Sequence, residues 1–130
     1  DAMTVNMMEE VRAGVWLQHL KHDPSKGFVE PVAALLANNA VIANRHFRDV
    51  GVLKEGYCAD VILLDYFSPT PLDESNFYGH LVFGLSQSQV VTTIASGRVL
   101  MENKKLKLDL DEEEIARKSS ELAGKLWSRF

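Results

Sequence analysis

Val50-Gly51-Val52-Leu53-Lys54-Glu55-Gly56-Tyr57-Cys58-Ala59-Asp60-Val61-Ile62-Leu63-Leu64-Asp65 reads as a tight loop that feeds a strand. Gly51 and Gly56 bracket a polar tip, Lys54-Glu55, at positions where glycine reaches backbone angles that a Cβ resists. The apolar run from Val61 to Leu64 is closed by Asp60 and Asp65. That pattern predicts a strand covered on both faces, with a neighbour on each side. Cys58, at the entry to this strand, is expected to be a small packed residue and not a nucleophile.

Toward the C-terminus, Val90 to Ala95 and Arg98 to Glu102 fit two strands joined at Ser96-Gly97, where glycine suits a two-residue hairpin turn. Ser68 to Ser88, with Pro69, Pro71, Gly79 and Gly84, is predicted to be a long irregular region, and a loop of that length is usually functional or held against another element. His80 within it is expected to hydrogen-bond loop backbone. In the tail, Asp111 can cap a helix with Glu114 three residues on. The acidic run Asp111 to Glu114 complements the positive helix start, and Lys118, Lys125 and Arg129 lie toward the negative end. Ile115, Leu122, Leu126 and Trp127 then share one face of an amphipathic docking helix whose charged side is solvated.

Toward the N-terminus, Asn6 can cap a helix with Glu9 at the capping-box position. Met8, Val11 and Val15 form a stripe flanked by Ala13, Leu17 and Leu20, which predicts a broad buried face. Met7-Met8 reads as core. Asp23-Pro24 stops this helix, because the residue before proline avoids helical angles. A second helix fits from Pro31, where a missing N–H costs nothing, with Val32, Leu35, Leu36 and Ala40 facing inward. Asn38, Asn39 and Asn44 weaken helical propensity, so a break or a shorter following turn is expected near Asn38 to His46.

Gly51-x-Leu53-x-x-Gly56-x-x-Ala59-Asp60-Val61-Ile62 resembles the segment at which metal-dependent amidohydrolases return from their catalytic barrel to a small β domain. Val90 to Leu100, containing Gly97-Arg98-Val99, is similar to the closing hairpin of that domain, and Tyr78-Gly79-His80-Leu81-Val82 resembles the His-Leu-Val element that precedes it. The resemblance is to the chlorohydrolase and aminohydrolase branch, near guanine and cytosine deaminases, and it covers the C-terminal part of that family. Asn38-Asn39-Ala40 and Asn44-Arg45-His46 stand where relatives show a threonine and an Asn-Gly-Ala type sequence.

The resemblance implies an α+β fragment. Residues 1–47 would be the end of strand 8 and the last helices of a β/α (TIM) barrel, residues 48–108 part of a small β-sandwich domain, and residues 109–130 a C-terminal docking helix. It implies hydrolysis of C–N or C–Cl bonds in small heterocycles, of deaminase or chlorohydrolase type, with a divalent metal, zinc or iron. Asp1, followed by Ala2, Met3 and Asn6, is similar to the carboxylate at the end of the eighth barrel strand. That carboxylate contacts the metal and takes a proton from its bound water, which makes Asp1 the candidate catalytic and metal-ligating residue. Catalytic zinc takes three protein ligands, and the family's histidines lie on strands outside this sequence, so the chain alone is expected to be inactive and to hold no metal. His19 and His22 lack any accompanying Glu-x-x-His pattern, and they read, like His46, as helix-end residues. Gly51 and Gly56 open no helix and precede no Gly-Lys-Ser/Thr, so they form no phosphate loop. Ser68, Ser86 and Ser88 have no nucleophile-elbow context.

The 130 residues, 46% hydrophobic, can bury one core. A formal charge of −4 disfavours nucleic acid and anionic membranes as partners. A single cysteine and the absence of a long apolar run suit a cytoplasmic protein. The start at Asp1 suggests a processed or truncated polypeptide. The expected partners are the missing barrel portion of the same protein, a small heterocyclic substrate, and a second copy paired through open strand edges, giving a homo-oligomer. The rival reading is a free-standing, non-catalytic α+β interaction module with covered sheet edges.

Overall fold

The computed structural model describes residues 5–130. Five helices, α1 (Met7–Lys21), α2 (Val29–Ala33), α3 (Asn39–Ala43), α4 (Phe77–Phe83) and α5 (Glu112–Trp127), accompany four strands, β1 (Val61–Asp65), β2 (Gln89–Ala95), β3 (Arg98–Glu102) and β4 (Lys105–Leu106). The strands form one antiparallel sheet in the order β1-β2-β3-β4. This is an α+β architecture.

Helix α1 begins where its cap requires, with the Asn6 side chain accepting from Met8 N at 3.1 Å, and it ends before Asp23-Pro24. Its inner face is narrower than the stripe predicts. Val11 and Val15 are buried, whereas Met7, Leu17 and Leu20 are exposed. The second helical stretch starts at Val29, two residues ahead of Pro31, which still falls in the first turn, where no intrahelical donor is lost. Asn38 and Asn39 do not end it, but Asn44 does, as the C-cap residue inside the stretch where a break is expected. Ala34–Asn38 widens into a π-helical turn, and α3 continues to Ala43.

The core lies wholly among helices. Val11, Val15, Val32, Leu81 and Val82 are buried, with Phe28, Leu35, Phe77 and Leu85 packed around them. Leu81 and Val82 come from α4, inside the stretch predicted to be irregular. Sequence reasoning misses this helix because its span is only Phe77–Phe83 and glycines at 79 and 84 interrupt the pattern.

Strand β1 corrects a second expectation. It pairs with β2 alone, so it is an edge strand, and Ile62 and Leu63 are 48% and 51% exposed. Its apolar run predicts two neighbours, and the described residues supply one. Cys58 is likewise exposed and not packed. The chain exposes 10486 Å² in total, against about 6,900 Å² for a compact monomer of this mass.

Candidate functional site

The loop and the hairpin quoted above meet physically. The Asp60 carboxylate accepts from Ser96 N at 2.6 Å, and Gly97 N donates to Ala59 O at 3.0 Å. Ser96 and Gly97 both have positive φ, 49° and 74°, which matches the handedness of a two-residue hairpin turn. Gly51 and Gly56 also sit at positive φ, 80° and 83°. A Cβ on Gly51 would lie 2.7 Å from that of Ala40, so this glycine also lets the loop approach α3. Asn44 closes the connection. Its side chain donates to Ala40 O at 2.7 Å and to Val50 O at 2.8 Å, and accepts from Val50 N at 3.3 Å.

Asp1, the predicted catalytic and metal-ligating residue, lies outside the described residues. The described chain that follows it borders an open cleft of about 830 Å³ between the helical layer and the sheet. Met7, Met8, Leu35 and Leu36 line one side, and Ile62, Leu64 and Val90 line the other. The methionines therefore face this cleft and do not fill a core. Ser86, at its rim, spends its hydroxyl on Val82 O at 2.7 Å and is not available as a nucleophile.

The four histidines do not converge. His19 stacks on Phe28, with centroids 6.4 Å apart, and His22 follows the last residue of α1. His46 is exposed in the turn after α3. His80 is buried on α4, where it bonds loop side chains and not loop backbone. Nδ1 meets Tyr66 Oη at 2.5 Å, and Nε2 meets Thr70 Oγ1 at 3.1 Å. The Ser68 hydroxyl donates to Thr70 O and stands 3.5 Å from His80 Nδ1. With both ring nitrogens engaged by hydroxyls, this cluster fastens the segment after β1 to α4. Gly84 leaves the room it needs, since a Cβ there would lie 2.5 Å from Tyr66 Oη. The sequence signal for this cluster is His80 beside Leu81 and Val82, and its partner Tyr66 carries no motif.

Among the described residues no group of three or more His, Cys, Asp or Glu is placed to hold a metal ion. They do not by themselves make a metal centre. The perturbed carboxylates are two exposed turn residues and a partly exposed residue of α5. Ser25 holds Asp23 below its ordinary value, and Ser75 does the same for Asp73, each mainly through a side-chain hydrogen bond. Arg117, and then Lys118, lower Glu114. No helix among the described residues is long and apolar enough to cross a membrane.

The profile of the Amidohydrolase family matches residues 1–100. A 5-methylthioadenosine/S-adenosylhomocysteine deaminase of Halothermothrix orenii is 36% identical over 128 residues, covering 92% of this chain and 28% of the relative. The protein of the same name from Dictyoglomus thermophilum is 44% identical over 80 residues, covering 62% of this chain and 18% of the relative. A 5'-deoxyadenosine deaminase of Methanopyrus kandleri is 32% identical over 127 residues, covering 95% of this chain and 28% of the relative. The chain thus spans less than a third of the length of these relatives. No solved structure matches.

Proposed function

Because this chain belongs to the amidohydrolase family, we propose that it is the C-terminal portion of a hydrolytic deaminase acting on an adenine-type nucleoside. The similarity to deaminases across nearly the whole chain carries this reading. It favours C–N over C–Cl cleavage. In the proposed reaction, water adds to the ring carbon bearing the exocyclic amine. The C–N bond breaks, the amine leaves with an added proton as ammonia, and the ring keeps the oxygen. The Asp1 carboxylate accepts the proton from water and returns it to the leaving nitrogen.

The family binds a divalent metal, and zinc or iron is proposed for the whole protein, with Asp1 joined by residues upstream of this chain. Residues 1–47 are assigned to the end of a β/α barrel, residues 48–108 to a small β domain, and residues 109–130 to a docked helix. An open β1 edge, an apolar cleft and an excess of about 3,600 Å² of surface support a chain shaped to be covered by a larger body. They speak against the free-standing module, which needs covered edges. Alone, the chain is proposed to self-associate.

The test is ammonia release by the full-length polypeptide carrying this C-terminus, offered methylthioadenosine, S-adenosylhomocysteine and 5'-deoxyadenosine, with guanine and cytosine as comparators. Turnover of a purine nucleoside, lost in Asp1→Asn with folding intact, is the expected result. A folded, metal-loaded polypeptide that releases ammonia from none of these nucleosides, or an Asp1→Asn variant with full turnover, contradicts it.

A further inference from the structure

Helix α5 has an apolar face and nothing in the described chain to place it on. None of its residues is buried, Ile115, Leu122 and Leu126 are about half-exposed, and Trp127 is 69% exposed. At 3.6 residues per turn, Ile115, Ser119, Leu122 and Leu126 form one seam that alternates four- and three-residue steps. Continuing it brings Glu112 to its start and Arg129 to its end, where Arg129 N still donates to Leu126 O at 3.1 Å. Neither Glu112 nor Arg129 has an ion-pair partner among the described residues. The lysines bordering the seam do have partners, Lys118 with Glu114 at 3.0 Å and Lys125 with Glu121 at 2.6 Å.

We infer that α5 pairs antiparallel with α5 of a second copy of this chain. In an antiparallel pair each seam residue faces the complementary step of the other helix. With the two-fold axis between Ser120 and Glu121, Ile115 faces Leu126 of the second copy, Ser119 faces its Leu122, and Glu112 faces its Arg129. The interior layers are thus apolar, with the small Ser119 allowing close approach at the centre, and each end is closed by an opposite-charge pair. A parallel pair sets Glu112 against Glu112 and Arg129 against Arg129, which like-charge repulsion disfavours. Antiparallel alignment also brings the acidic first turn of each helix, Glu112, Glu113 and Glu114, toward the basic end of the other. The charge pattern along the seam therefore selects both the partner and its orientation.

This inference specifies a surface for the proposed self-association and uses no part of the hydrolytic reading, so the deaminase assay neither supports nor weakens it. The experiment is sedimentation, across concentration, of the full-length polypeptide that contains this sequence, with Glu112→Arg, Arg129→Glu and the double variant. Each single variant places like charges at both ends of the pair and is expected to dimerise roughly tenfold more weakly. The double variant restores opposite charges and recovers the parental affinity. An equimolar mixture of the two single variants also recovers dimer, because the all-basic seam ends of one chain then meet the all-acidic seam ends of the other. A parent chain that stays monomeric overturns the pairing. So do single variants that associate like the parent, which would place the contact at the β1 edge or elsewhere, and a mixture no better than its components. Circular dichroism of each variant checks that α5 remains helical.

Discussion

Asp60→Ala is the sharpest test of how the small sheet is held together. The Asp60 carboxylate accepts one hydrogen bond, from Ser96 N at 2.6 Å, and so ties the entry of β1 to the β2–β3 turn. A hydrogen bond to a charged acceptor contributes roughly 1.5–3 kcal/mol net. Asp60 is exposed and water competes for both partners, so a loss of about 1 kcal/mol is expected, roughly a fivefold drop in the folding equilibrium. Gly97 N to Ala59 O, at 3.0 Å, is a backbone bond and survives the substitution, which limits the damage to the turn. Asp60→Asn keeps an acceptor oxygen and is expected to lose less than half as much. Urea titration of the three proteins gives the stability differences, and amide exchange at Ser96 locates them. Equal stability of wild type and Asp60→Ala, or unchanged Ser96 protection, refutes the coupling.

Gly84→Ala places a Cβ 2.5 Å from Tyr66 Oη, so Tyr66 must move and its bond to His80 is lost. A cost of about 1–3 kcal/mol is expected in urea titration, with a shifted His80 ring resonance; an unmoved resonance counts against the contact. Gly97→Ala meets no neighbouring atom within 4 Å, and only its φ of 74° resists, so about 1 kcal/mol is expected by the same assay and a larger value counts against a purely backbone origin. Glu114 has its folded-state pKa lowered by Arg117 and then Lys118. Its contribution to α5 is therefore complete above the ordinary glutamate value and lost as pH falls through the lower folded value. Circular dichroism of wild type and Glu114→Gln is expected to show the wild-type helix signal converging on the variant's over that acid range, and parallel curves contradict the assignment.

The parts of the fold that are legible in sequence are those fixed by local chemistry. Asn6 and Asp111 cap the helices predicted to follow them, and Ser96-Gly97 makes the predicted turn because both residues reach positive φ. What fails depends on neighbours. The run Val61 to Leu64 signals a strand that wants cover, but periodicity does not say whether the covering strands belong to the same 130 residues, and here β1 is an edge. Leu17 and Leu20 extend the stripe of α1, yet both are exposed. Helix α4 is short and broken by glycines, so its inward residues, His80, Leu81 and Val82, carry no readable period. Asp1 is legible only through resemblance, since a single carboxylate has no pattern of its own, and it lies outside the described residues. The His80–Tyr66–Thr70 cluster joins residues separated along the chain, which a linear motif does not encode.

The most direct test of the central claim is the mass of the native polypeptide that contains this sequence, detected in source cells with an antibody against residues 109–130. The account predicts a product several times larger than 14.5 kDa, since a β/α barrel takes about 250 residues. A native product of 14.5 kDa contradicts it and removes the case for deamination by this chain.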